Sequence, residues 1–366
     1  GGATAESALL QPVQRKIYTY WEYPGKPDPF VALNLRTWRA HAPPGVEIVL
    51  VNDSNIRSLV PDLPEEWARL PYAQAKSDLV RAAVLFHQGG LYMDTDFLVM
   101  GPLEELFSKV DEGWDVVTYD SDEGRSRSGK CRRDDFSSNL MAARAGNRFS
   151  ETWWKNIKLK LGRVCQADEL TKEKEKVCCH EESATQPENR SCHIPWGSLE
   201  LLKYPDQDLD TKINSEARLL ASAAHNATVR RSIGRPAFQV PAGARLFCYA
   251  GKNSMTPHLN GEVFWQPWVP PKGTGSTPLR SGMIKPKDFD ARFDCREVRS
   301  GDLRCRRGNW GNEKRVLRNF FGRIAYHLFF SQKRPEVGSE AEILGANWLL
   351  SDLYRRSLSS EPRRPP

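Results

Sequence analysis

Asp94-Thr95-Asp96 places two carboxylates one residue apart behind a short apolar run, Leu91-Tyr92-Met93. If the chain stays extended into Phe97-Leu98-Val99, side-chain alternation sends Asp94 and Asp96 to the same side. Two ionised carboxylates held that close repel each other and cost desolvation unless a cation lies between them. Hard divalent cations take such oxygens, and Mg²⁺ or Mn²⁺ can share them with substrate phosphates. A plain polar turn after a strand uses the same triplet, so the neighbours decide. Asp78 and Arg81 stand three residues apart on the preceding segment, hence on one face of a helix. Taken alone they read as a surface ion pair worth about 0.2–0.5 kcal/mol.

The elements that must hold these residues are visible in the chain. From Tyr72 to Phe86 the spacing predicts a helix, with Pro71 suited to its first turn and Leu79, Val80, Ala83, Val84 and Phe86 on an apolar face. Gly89-Gly90 ends it, because glycine takes the left-handed conformation that closes helices. Lys16 to Trp21 reads as a first strand, Pro29 to His41 as a helix with Phe30, Leu33, Leu35 and Trp38 at helical spacing. Val46 to Val51 is near-continuously apolar, the pattern of a strand buried on both faces. Strand, helix, strand, helix, strand up to Met93 implies a parallel α/β sheet with right-handed crossovers. Ligands bind such sheets at the carboxyl ends of the strands, where Trp21, Asn52-Asp53, Asp94 and Asp96 fall.

Beyond the carboxylates, Pro102 opens a short helix through Phe107, and Trp114 to Tyr119 is a strand. Asp120 to Asp135 is expected to form a loop over the site, Ser138 to Ala143 the next strand, and Phe149 to Leu161 an amphipathic helix. Residues 162–192 form a charged, cysteine-rich insertion and 261–287 a Pro/Gly-rich loop. Lys314 to Leu328 reads as helical, then strand-like, and Ser339 to Leu358 as a final helix. The expected organisation is a leader over 1–15, one catalytic domain over 16–358 and a disordered Pro/Arg-rich tail over 359–366.

With 366 residues the chain can bury one large core, and its net charge of +7 is scattered. No basic stretch is interleaved with aromatics, so nucleic acid is not an expected partner. An even count of eight cysteines, five of them between Cys131 and Cys192 in a segment poor in apolar residues, suits disulfides in an oxidising compartment. Zinc is the alternative, without a C-x-x-C pair to support it. Cys295 and Cys305 can close a small loop. Asn189 and Asn226 head glycosylation sequons; Asn52 heads a third at a strand end. There is no membrane-length apolar run, and membrane attachment is expected only through an anchor outside these residues.

Ser77-Asp78-Leu79-x-Arg81 followed by Gly89-Gly90-x-Tyr92-x-Asp94-x-Asp96 resembles the signature of the DXD-containing sugar-binding-region glycosyltransferases. That group includes capsular polysaccharide synthesis proteins, yeast α-mannosyltransferases and α-galactosyltransferases. The resemblance implies a GT-A-like, Rossmann-type mixed sheet flanked by helices. It implies transfer from a nucleotide-sugar donor, UDP-linked by preference, to a glycan, glycoprotein or glycolipid acceptor, with retention and with Mn²⁺ or Mg²⁺ as cofactor. On it, Asp94 and Asp96 hold the metal, Asp78 and Arg81 hold hydroxyls of the sugar, and Trp21 stacks on the nucleotide base. Tyr92 and Asn139 approach the donor. His327, in Tyr326-His327-Leu328-Phe329-Phe330-Ser331, resembles a histidine near the metal in the α-galactosyltransferases, and Ser331 then faces a phosphate. A Golgi or other secretory lumen, reached as a type II membrane protein, follows as the expected location. Two readings stand beside it: a degenerate transferase serving as a lectin-like module, and a haloacid-dehalogenase-like phosphatase. In the latter the first Asp is the nucleophile, and Asp206, Asp208 and Asp210 supply the downstream acids.

Overall fold

The structure is a computed structural model and describes residues 13–22, 25, 27–70, 73–120, 138–170, 243–250, 294–299, 302–306, 314–318, 324–328 and 335–359. Its frame is a mixed six-stranded sheet in the order β2-β1-β3-β6-β5-β7. These are β1 (Lys16–Tyr20), β2 (Glu47–Val51), β3 (Gly90–Met93), β5 (Val116–Asp120), β6 (Leu140–Ala143) and β7 (Leu246–Ala250). Strands β1, β2 and β3 run parallel, β6 is antiparallel to both neighbours, and β7 is parallel to β5. The chain folds before Lys16: Val13 is buried, and its amide donates to Asp111 at 2.9 Å.

Period-two alternation along β3 divides the core. Tyr92 faces helices α3 (Ala73–His87) and α5 (Arg148–Leu170) together with Tyr18, Met141, Leu79 and Trp153. Leu91 and Met93 face α1 (Pro29–His41) and α4 (Glu104–Asp111) with Ile17, Trp38, Leu106 and Phe107. Asp28 caps α1 by accepting from the Phe30 amide at 3.0 Å, with Pro29 in the first turn, as cap chemistry favours. A one-turn helix, α2 (Ile56–Leu59), and a 3₁₀ turn at Glu65–Arg69 lead into α3. Gly89 and Gly90 have φ of +68° and +92°. A Cβ on Gly89 would stand 2.6 Å from the Ala145 amide, and one on Gly90 2.7 Å from the Lys16 carbonyl, so both positions exclude side chains.

The chain does not stay extended through the aspartates. Asp94-Thr95-Asp96 turns, with the Phe97 amide donating to the Asp94 carbonyl at 3.3 Å. Strand β4 (Phe97–Val99) then leaves the main sheet and pairs antiparallel with β11 (Ala325–His327), His327 opposite Phe97. The apolar run on both sides of the triplet conceals this, because both strands are buried but in different sheets.

Other expectations shift for similar reasons. Strand β2 is an edge strand whose Glu47 is exposed and whose Ile48, Val49 and Leu50 are half-buried, so it is not buried on both faces. Helix α5 runs on to Leu170, making the first nine residues of the expected insertion helical; 171–192 lies outside the described residues. So do the loop at 121–137, the Pro/Gly-rich loop at 261–287, Ser331, Asp206, Asp208 and Asp210, both downstream sequons and the tail from 360. Lys314–Arg318 is not helical but forms β10, paired with β9 (Asp302–Arg306), which pairs with β8 (Asp294–Arg299). The ladder overrides the helix propensity of Lys, Arg and Leu. The expected last helix is two, α6 (Glu340–Gly345) and α7 (Leu349–Ser359), broken where Ala346 turns extended after Gly345. They pack with α1, β4 and β11 in a third apolar cluster containing Phe30, Leu33, Leu98, Tyr326 and Tyr354.

At the end of the sheet away from the aspartates, Asp62 ties α3 to α5. It accepts from His87 Nε2 at 2.6 Å, from Trp154 Nε1 at 3.0 Å and from the Lys158 ammonium. Burial pushes its carboxyl pKa up, but the bonds from Lys158, Trp154 and His87 outweigh that and hold it below the usual value. A folded pKa below the unfolded one stabilises the protein above about pH 4, and the contribution is lost as pH falls through the folded value. Asp62→Asn should therefore lower the thermal midpoint at pH 7 and flatten its decline below about pH 4. Parallel midpoint-versus-pH curves for variant and parent would refute this.

Candidate active site

Arg81 lies at the centre of the carboxylate cluster, its side chain 4% exposed. Helix α3 puts it there because Leu79, Val80, Ala82, Ala83, Val84 and Leu85 around it are themselves wholly buried. One guanidinium nitrogen reaches Asp78 Oδ1 at 3.0 Å and Ser138 Oγ at 2.5 Å; the other donates to both oxygens of Asp94, at 2.9 and 3.1 Å. The guanidinium also lies 5.2 Å from the ring centre of Tyr92, whose hydroxyl donates to Asp94 Oδ1 at 2.9 Å. Burial favours deprotonation of Arg81, but Asp94 and Asp78 outweigh it, and its pKa rises further above the ordinary value. Burial first, then the Asp94 charge, pushes the Tyr92 hydroxyl well above its ordinary pKa, so it stays a donor.

Asp96 takes a different partner. Its Oδ1 lies 3.1 Å from His327 Nε2, the two side chains being 19% and 10% exposed. The imidazole stacks on Phe97 with ring centres 4.8 Å apart and planes 14° from parallel. Asn139 Nδ2 stands 3.2 Å from His327 Nδ1, while its Oδ1 accepts from the Tyr119 hydroxyl at 2.7 Å. The Asn139 carbonyl accepts from the Asp94 amide at 2.9 Å, which ties the start of β6 to the turn. Two neighbouring ligands of an octahedral cation with bonds of about 2.1 Å stand about 3.0 Å apart. Asp96 and His327 thus have the spacing of adjacent ligands, and equally that of an N–H···O bond formed directly between them. Among the described residues no group of three or more His, Cys, Asp and Glu is placed to hold a metal. Two protein donors suffice for Mg²⁺-like ions, which complete their shell from phosphates and water.

A second buried cation closes the ends of β1 and β2. Lys76, 6% exposed and one turn before Arg81's neighbours on α3, reaches Glu22 at 2.5 Å and Asp53 at 2.7 Å. Asp53 also accepts from Trp67 Nε1 at 3.2 Å and from the Tyr20 hydroxyl at 3.4 Å. Burial disfavours the charged form of each partner, and the ion pairs outweigh it: Lys76 titrates higher and Asp53 lower than usual. Trp21, between Tyr20 and Glu22, is half-buried, with its amide bonded to the Val51 carbonyl at 2.8 Å.

The structure therefore brings Asp78, Arg81, Tyr92 and Asp94 into one bonded group and Asp96, His327 and Asn139 into another, while Trp21 packs against the apolar cluster on the α1–α4 face of the sheet. The Asp78–Arg81 pair has the expected i,i+3 spacing but is buried rather than on the surface. Asp94, whose charge the sequence leaves to a cation, has Arg81 as counter-charge. Sequence reasoning misses Lys76, Glu22 and Tyr119. Lys76 shares a helix with Asp78, yet only the packing of α3 shows it to be buried.

Residues 30–111 match the family described as glycosyltransferase sugar-binding region containing DXD motif. The match runs from α1 to the end of α4 and takes in Asp78, Arg81, Asp94 and Asp96, so the DXD resemblance holds for this segment. No curated protein matches the chain. Among solved structures, the PaToxG glycosyltransferase is similar at 16% identity over 63% of this chain and 82% of that one, with a TM-score of 0.28. A superposition that loose assigns no residue.

Removing Arg81 should leave Asp78 buried and Asp94 half-buried without their cation, a change that for a buried pair costs about 3–5 kcal/mol. Arg81→Ala is expected to lose stability on that scale in urea unfolding, and Asp94→Asn in the same chain to restore part of it. A loss under about 0.5 kcal/mol, the scale of an exposed helix pair, would contradict the buried geometry.

Proposed function

We propose that the protein is a divalent-metal-dependent, retaining glycosyltransferase that moves a sugar from a nucleotide-sugar donor, UDP-linked by preference, to a glycan, glycoprotein or glycolipid. The observation that carries this reading is the 3.1 Å approach of His327, from far along the chain, to Asp96, which lies in the segment that matches the DXD sugar-binding region. Asp96 and His327 would hold a divalent cation, which would supply Lewis-acid neutralisation of the departing diphosphate. Asp96 offers a carboxylate oxygen and His327 a neutral imidazole nitrogen, the form a metal ligand must take. For Nε2 to ligate, the imidazole proton must sit on Nδ1, so the Asn139 amide, 3.2 Å away, would turn its oxygen to Nδ1 and its nitrogen to the Tyr119 hydroxyl.

Asp94, paired with Arg81, presents the second carboxylate of the turn. Asp78 and Arg81, rigid in the α3 wall, bond hydroxyls of the transferred sugar and fix its orientation. Tyr92, wholly buried, reaches the donor through Asp94. Trp21, at the carboxyl end of β1, offers its ring to the nucleotide base; Ser331, outside the described residues, is assigned to a phosphate by the resemblance alone. In a transfer with retention the leaving phosphate oxygen takes the acceptor proton, so no side chain is assigned as general base.

The same reading places the domain in a secretory lumen such as the Golgi. Cys248 on β7 is disulfide-bonded. Cys295 and Cys305 stand directly opposite in the β8–β9 register, and cross-strand Cα spacings of about 4.5–5.5 Å fall within the span of a disulfide. Asn52 is turned to its own loop, accepting from the Ser54 amide at 2.9 Å, and is the poorer glycosylation candidate. No helix among the described residues is long and apolar enough to cross a membrane.

Donor hydrolysis by the parent protein should stop in EDTA and return with Mn²⁺. Asp96→Asn should abolish turnover with the fold retained, and His327→Ala should raise half-saturating Mn²⁺ about ten-fold, about 1.4 kcal/mol. Full turnover in EDTA would remove metal from the mechanism. Intact mass with and without reduction before alkylation should show most of the eight cysteines protected. Eight modified thiols in unreduced protein would withdraw the lumenal assignment.

A further inference from the structure

The turn that carries Asp94 and Asp96 is gripped from behind by α1 and α7. Asn34 Nδ2 donates to the Thr95 carbonyl, between the two aspartates, at 2.8 Å, and the Tyr354 hydroxyl donates to Asn34 Oδ1 at 2.7 Å. Asn34 and Tyr354 are wholly buried. The following residues are held likewise: Trp38 Nε1 donates to the Phe97 carbonyl at 2.7 Å, and the Val99 amide donates to Thr37 Oγ1 at 3.1 Å. Ser357 Oγ donates to the Val99 carbonyl at 2.7 Å. Among the described residues β4 has a strand partner, β11, on one edge alone, and on the other edge side chains meet the backbone groups of Phe97 and Val99.

The relay has one workable orientation. A flipped Asn34 amide would set its oxygen against the Thr95 carbonyl, acceptor against acceptor. The Tyr354 hydroxyl has one hydrogen, and Asn34 at 2.7 Å is a far better acceptor than the Phe30 carbonyl at 3.4 Å. Tyr354 thereby locks the amide that locks the turn.

We propose that Tyr354, acting through Asn34, is a positioning residue that sets the angle at which the Asp94-Thr95-Asp96 turn presents Asp96 to His327 and the donor diphosphate. The proposal rests on the reading of Asp96 as a ligand of the donor-bound cation. It gives the last helix, 320 residues from Asn34, a task at the site. Small misplacements of positioned groups cost large factors in rate, so a single hydroxyl at this depth is sufficient to matter.

Tyr354→Phe keeps the ring and removes only the hydroxyl. It should raise half-saturating Mn²⁺ for donor turnover about ten-fold, equivalent to about 1.4 kcal/mol. It should also speed amide hydrogen exchange in the peptide over residues 93–99, measured without metal, by about ten-fold, the same conversion applying. Trp154→Phe, which removes the bond to Asp62 at the far end of the sheet, is the control for destabilisation and should change neither. Asn34→Ala should match Tyr354→Phe, and the double variant should be no worse than either, as expected for groups acting in series. A wild-type Mn²⁺ requirement and wild-type exchange in Tyr354→Phe would overturn the relay, as would equal effects from Trp154→Phe. Metal-independent turnover by the parent would instead overturn the reading of Asp96 on which the proposal rests.

Discussion

A guanidinium shut away from water needs anions on it, and Arg81 imposes that need on everything around the site. An ion removed from water loses several kcal/mol of hydration, which only well-aligned opposite charges return. Arg81 is shut away because α3 is apolar on almost every side, not because a pocket was shaped for it. Two carboxylates must therefore converge, Asp78 from the same helix and Asp94 from beyond β3. That convergence fixes α3 against the end of the strand. Gly89 and Gly90 make it possible, since the tight link between α3 and β3 leaves no room for a Cβ at either position.

Arg81 also resolves the electrostatic difficulty of the Asp-x-Asp triplet by dividing it. Asp94 is saturated by the guanidinium and the Tyr92 hydroxyl, while Asp96, beyond the turn, faces an imidazole. The two carboxylates do not share one counter-charge. The turn that separates them is held at the Thr95 carbonyl by Asn34 and Tyr354, while its two ends are tied to the strands through Asn139 and Leu328. A neutral relay at Thr95 lets the geometry persist whether or not a cation is present, which is the sense of preorganisation in a site where charge must be met on arrival.

Local patterns carried most of what the chain revealed. The α3 periodicity, the terminating glycines, the start of α1 at Pro29 and the first strand at Lys16 are decided by residues within a few positions of one another, and each falls within a residue or so of where it was expected. What was hidden depends on distant partners. Phe97-Leu98-Val99 reads as a continuation of β3 because burial looks alike in any sheet, and only its pairing with Ala325–His327 shows otherwise. The edge position of β2 follows from strand order, which no window of sequence contains. His327 entered through family resemblance alone, and its neighbour Asn139 was legible as a strand residue but not as its partner. Tyr354 left no signal, since a tyrosine on an amphipathic helix is ordinary core until its hydroxyl is followed.

Charge placement supplies the last step. Along α3, Lys76 and Arg81 each hold a pair of carboxylates, Glu22 with Asp53 and Asp78 with Asp94. Asp96 adds a fifth, so among these residues five carboxylates face two permanent cations around one end of the sheet. With the imidazole neutral, these residues by themselves carry a net negative charge. A nucleoside diphosphate approaching it is repelled unless a cation arrives with it or is supplied from outside this group of residues. Surplus acid at the mouth of an anion site is unfavourable by itself and becomes favourable once a divalent ion is part of the ligand. On the proposed function, the excess of carboxylates over cations among these residues favours a metal–diphosphate complex over a bare diphosphate.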